Sequence, residues 1–97
     1  MAGNIRLSPA ELRDVARQYN NESSNVSEMI VRLDGMRDHL AQIWEGSSSE
    51  AFIGQYEELR PSFQKMSELL NDVHMQLQQT ANTLEETDQQ IAGQIRG

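Results

Sequence analysis

The sequence predicts an all-α fold: a two-helix antiparallel hairpin that pairs with a second copy as a homodimeric four-helix bundle. Three observations lead there. Apolar residues recur at three- and four-residue steps through both halves of the chain. A capping-box pattern opens each half. At mid-chain, Trp44-Glu45-Gly46 interrupts the periodicity. One domain spans residues 1–97, with a helix at about 8–44, a turn at 45–48, a helix at about 49–90 and a frayed tail at 91–97.

The first helix starts at Ser8-Pro9-Ala10-Glu11, where Ser8 caps, Pro9 suits the first helical position and Glu11 closes the box. Its central apolar line is Leu12, Tyr19, Val26, Leu33 and Leu40, at seven-residue spacing. Val15, Met29, Met36 and Ile43 run on one flank, with Glu22 interrupting. Ala16, Ile30 and Trp44 run on the other, with Ser23 and Arg37 interrupting. Three adjacent lines make a face wider than a two-strand seam. The polar stretch Asn20–Asn25 is expected to be locally irregular.

Gly46 is expected to end this helix as a left-handed C-cap. Ser47 and Glu50 are spaced as a second capping box. The second helix carries Phe52, Tyr56, Leu59, Phe63, Met66, Leu70, Val73 and Leu77 in alternating steps of four and three. The line continues through Ala81, Leu84, Asp88, Ile91 and Ile95 after one extra four-residue step, a stutter that locally unwinds a supercoil. Pro61 is expected to bend this helix near Glu57. Two helices cannot cover two such broad faces between them. The remaining strip calls for a second hairpin.

Composition narrows the function. The chain has a net charge of −7 and a single lysine, Lys65, which argues against nucleic acid and against stable binding to anionic membranes at neutral pH. Cysteine is absent, so disulfides and thiolate metal sites are excluded. Residues 1–6 put no apolar run behind their charge, unlike a secretory signal peptide. No convergent set of reactive groups suggests an enzyme, a cofactor or a metal. His39 and His74 lie off the apolar lines and read as surface histidines.

Two residues stand out. Trp44 closes the end of the first helix, either as a core aromatic or as an exposed docking residue. Asp88 occupies an apolar position of the stripe. A carboxylate there is costly if buried, so either the stripe is open to water or a partner supplies a donor.

Trp44-Glu45-Gly46 between two amphipathic helices resembles the WXG family, the ESAT-type substrates of type VII (ESX) secretion systems. The resemblance covers essentially the whole chain. Leu84, Asp88, Ile91 and Ile95 fit the hydrophobic-xxx-Asp-xx-hydrophobic-xxx-hydrophobic motif of Gram-positive members. Mycobacterial-type members have Tyr where this chain has Leu84. The resemblance implies homodimers that leave the cell folded, without a cleaved signal peptide. It implies that the C-terminal motif is part of the export signal, read by a membrane-anchored ATPase of the FtsK/SpoIIIE type. Other WXG or LXG-type hairpin proteins are further candidate partners. Two alternatives remain at this level: a cytosolic adaptor that pairs with a larger toxin, and a membrane-active effector.

Overall fold

The computed structural model describes residues 8–96, with side chains for 8–89. Two α-helices make up the fold: α1 (Pro9–Ile43, 35 residues) and α2 (Ser47–Arg96, 50 residues). They form an antiparallel hairpin measuring 77 × 24 × 16 Å. The first predicted capping box is present. Ser8 Oγ accepts from the Glu11 amide at 3.1 Å, and the Glu11 carboxylate accepts from the Ser8 amide at 3.4 Å.

Four local expectations need correction. Asn20–Asn25 is continuous α-helix, because Ser23 is buried against α2 and this contact outweighs weak intrinsic propensity. The expected Ser47–Glu50 capping box is replaced by a start at Gly46, which has no side chain to cap with. Ser47 is already helical, and the Gly46 carbonyl accepts from the amides of Ser49 (3.1 Å) and Glu50 (3.4 Å). Gly46 therefore caps the start of α2 and does not end α1. Helical backbone also continues to Arg96, past the expected fray near residue 90. Pro61 lies inside α2 without ending it.

The seam between the helices is built from small and polar residues. Ala16 and Ala81 are fully buried, and Ser23 and Ile30 are buried beside them. On α1 the line is Ala16, Ser23 and Ile30; on α2 it is Ser67, His74 and Ala81, again at seven-residue spacing. Across the centre, Ser23 Oγ donates to the Ser67 carbonyl at 2.8 Å and Ser67 Oγ donates to the Ser23 carbonyl at 3.1 Å. Ser27 Oγ and Ser67 Oγ share a further hydrogen bond at 2.8 Å. One heptad further on, His74 Nδ1 donates to the Ala16 carbonyl at 2.8 Å. The acceptor is a carbonyl, so the proton sits on Nδ1. His74 is thus a half-buried bridge between helices, not the surface histidine expected; His39 is exposed as expected.

Small residues at the crossing let the two backbones approach closely. The larger apolar residues are pushed to the periphery. Of the predicted face, Leu12 and Ile30 are buried. Val26, Leu33, Leu40, Tyr56, Phe63, Leu70, Val73 and Leu77 are half-buried. Tyr19, Phe52, Leu59 and Met66 are exposed. No large side chain among the described residues is fully buried. The accessible surface is 7528 Å², against about 5,600 Å² for a compact monomer of this mass.

Substitution at the seam has a directional outcome. Ala81→Leu forces a branched side chain into a fully closed position and should cost about 1–3 kcal/mol. Val31→Ser, at a site 70% exposed, should stay within about 0.5 kcal/mol of the parent. Denaturant unfolding of both variants, followed by circular dichroism, makes the comparison.

Candidate functional site

The turn consists of three residues. The Trp44 amide makes the last helical bond of α1, to the Leu40 carbonyl at 2.9 Å, while its backbone is extended (φ −113°, ψ 111°). Trp44 is therefore the first residue beyond α1 and not a member of its last turn. Gly46 has φ +109°, a conformation that L side chains rarely adopt. A Cβ there would meet nothing within 4 Å, so the glycine is needed for its backbone and not for space. The indole packs on Phe52 in the first turns of α2, with ring centroids 5.7 Å apart and planes at 41°. Trp44 is half-buried. The single chain thus gives it a structural contact and leaves part of the ring open. Glu45 is exposed.

A polar network fills the seam about two to four turns inward. Asp34 Oδ1 accepts from Tyr56 Oη at 2.8 Å and Arg60 Nε at 2.9 Å, and its Oδ2 accepts from Arg60 Nη2 at 2.8 Å. Arg37 donates to Glu57 and to Asp38, and its guanidinium lies 5.4 Å from the Tyr56 ring centroid. Tyr56 stands edge-on to Phe63 at 6.3 Å. The hydrogen bonds from Arg60, then from Tyr56, hold the Asp34 carboxyl down at about 2. Burial, reinforced by the neighbouring carboxylate of Asp34, pushes the Tyr56 phenol up.

The remaining apolar surface forms a groove spanning both helices. Val26, Met29 and Leu33 of α1 line it with Phe63 and Met66 of α2. Val15, Met36 and Ile43 are exposed as well. At the far end, Leu84 is half-buried and Asp88 is exposed, so within one chain the Asp88 carboxylate stays in water. The side chains of Ile91 and Ile95 lie outside the described residues. Trp44 and Asp88 are at opposite ends of the hairpin. The 41 helical steps from Ser47 to Asp88 alone span about 60 Å.

Sequence reasoning missed the Asp34–Tyr56–Arg60 network, the Ser23–Ser67 pair and the His74 bridge. A signal for all three was present. Ala16, Ser23, Ile30 and Arg37 keep heptad spacing, and so do Arg60, Ser67, His74 and Ala81. Two matched lines of small and polar residues mark the contact between the helices, not an interrupted apolar flank.

The chain is similar to known proteins along its whole length. A family model described as WXG100, proteins of 100 residues with WXG, matches residues 4–89. Protein YukE of Bacillus subtilis is 61% identical over 97 residues, covering 100% of both chains. The type VII secretion system extracellular protein A of Staphylococcus aureus is 31% identical over 88 residues, covering 91% of each. The crystal structure of EsxA from Geobacillus thermodenitrificans superposes with a TM-score of 0.84 at 68% identity, covering 93% of this chain and 100% of that one.

Acid titration isolates the network beside the turn. The folded value of Asp34, about 2, lies below its ordinary 3.8. Its contribution to stability is therefore present above the ordinary value and lost as pH falls through 3.8 toward 2. Asp34→Asn should flatten the stability profile in that window while leaving the slope above pH 5 unchanged. Denaturation midpoints from pH 2 to 6, with a carboxyl-carbon NMR titration of Asp34, test this.

Proposed function

The chain belongs to the WXG100 family, and from that premise we propose that it is exported by a type VII secretion system as a folded dimer, read through its C-terminal segment and its turn. It works by binding, without catalysis. The observation that carries this reading is the extent of the family match, which takes in α1, the turn motif and α2 as far as residue 89, Asp88 included. A relative 31% identical over 91% of the chain bears the name of a type VII secretion system extracellular protein.

The dimer is supported by the surface left over. Val15, Tyr19, Met36 and Leu59 are exposed on the single hairpin, in addition to Met29 and Met66, which line a groove of the same character. Removing that apolar area from water favours association at about 25 cal/mol per Å² before the costs of assembly. A second hairpin supplies a matching surface of the required length. Other hairpins of the WXG or LXG type would use the same side.

In an antiparallel pair, the turn of one protomer would lie beside the end of α2 in the other. Trp44 from one chain and Leu84 and Asp88 from its partner would then form one composite patch, although about 60 Å separates them within a chain. The half-open indole and the exposed carboxylate suit such a surface. A membrane-anchored ATPase of the FtsK/SpoIIIE type is the expected reader. Export by this route needs no cleaved signal peptide. No helix of the described residues is long and apolar enough to cross a membrane.

Light scattering at micromolar concentration should give twice the 11.0 kDa chain mass; a stable monomer would refute the pairing. Asp88→Ala should leave the helical content and dimer mass unchanged and abolish accumulation in the culture supernatant of a strain with the secretion ATPase. Equal supernatant levels of variant and parent would remove Asp88 from the signal. Both proteins staying in the lysate, bound to a larger hairpin protein, would turn the reading toward an adaptor.

A further inference from the structure

Packing of α2 against α1 ends within about two turns. Ala81 is fully buried and Leu84 half-buried, while Glu85, Glu86, Thr87, Asp88 and Gln89 are exposed. One side chain from α1 spans this boundary. Arg13, in the second turn of α1, donates from Nη1 to Glu85 Oε2 at 3.0 Å and from Nη2 to Glu85 Oε1 at 3.2 Å. The same Nη2 donates to Asn82 Oδ1 at 2.9 Å. A planar guanidinium that grips both oxygens of a carboxylate fixes direction as well as distance, which a lysine would not do. The hydrogen bonds from Arg13 hold the Glu85 carboxyl below its ordinary value.

The gripped stretch of α2 is intrinsically weak helix. Thr80, Asn82, Thr83, Thr87 and Asp88 are poor helix formers. Thr83 Oγ1 donates back to the Gln79 carbonyl at 3.0 Å, and Thr87 Oγ1 to the Thr83 carbonyl at 2.9 Å. Such back-bonding competes with the helical ladder and slightly destabilises it. A fork from α1 therefore lands where α2 is least able to hold its own course and immediately before Asp88.

We infer that Arg13 is a positioning residue for the C-terminal signal: through Glu85 and Asn82 it latches α2 to the hairpin and sets the point beyond which the helix is free to be read. The inference rests on the proposed role of Asp88 in export. The latch is accessible to solvent and is made of a single ion pair with one amide, so it is releasable. It defines a boundary and does not hold the fold together.

Amide exchange on the full-length chain tests the latch directly, with export as a second readout. Arg13→Gln should raise exchange about two- to five-fold over residues 82–89, the range of a single exposed ion pair, and leave the central seam and the denaturation midpoint unchanged. Supernatant levels should fall. Arg13→Glu combined with Glu85→Arg should bring both readouts back toward the parent, whereas Arg13→Glu alone should be worse than Arg13→Gln. Unchanged exchange in Arg13→Gln, a rise spread over both helices, or no recovery in the swapped pair would each overturn the latch. Parental export of Asp88→Ala would instead overturn the export reading, with exchange still deciding whether Arg13 holds α2.

Discussion

The close crossing of α1 and α2 governs the rest of this molecule. Ala16, Ser23 and Ala81 are closed over by the facing helix, so none of these three positions admits a larger side chain without disturbance. Serine hydroxyls satisfy each other's backbone carbonyls across the centre, and His74 does the same one heptad away. Polar groups that bond only when correctly opposed define register, as a lone buried asparagine does in a coiled coil. Leu12, Tyr19, Val26, Leu33 and their counterparts on α2 could otherwise slide by a heptad with little loss of apolar contact. The hydrogen-bonded centre removes that freedom.

The same crossing determines which surface remains. When a seam is made of small residues, the leucines, methionines and aromatics flanking it cannot be covered by the partner helix alone. Here they gather around a groove contributed by both helices. Methionines are well represented there, and their unbranched, polarizable side chains adapt to more than one facing surface. The single hairpin thus leaves a large part of its apolar face uncovered. Its charged networks stand toward the two ends, away from the neutral hydrogen bonds of the centre: Asp34, Tyr56 and Arg60 near the turn, Arg13 and Glu85 near the last packed turns of α2.

Much of this was legible in the sequence. Two helices, the first capping box and the surplus of apolar face all followed from periodicity and cap chemistry. Trp44 and Gly46 were found, but with their mechanics misassigned: Gly46 opens α2, and Trp44 is extended. On a single helix Ser23 and Arg37 look like interruptions of an apolar flank, although they mark the intrachain seam. Their meaning depends on Ser67 and Glu57, which stand 44 and 20 residues away and bond them only across the hairpin. Periodicity on one helix carries the amphipathic face but not the partner of each polar residue. His74 looks like a surface residue for the same reason, since its acceptor is a backbone carbonyl that no sequence pattern displays.

The elongated shape has a hydrodynamic consequence. The radius of gyration is 22.0 Å, whereas a compact domain of this length has one near 13 Å. By the same scaling, 22.0 Å belongs to a globule of roughly 400 residues. Even a single hairpin will sweep a large volume as it tumbles, diffuse slowly for its mass and leave a sizing column early. Elution position therefore reports the length of the rod before it reports the number of chains in it.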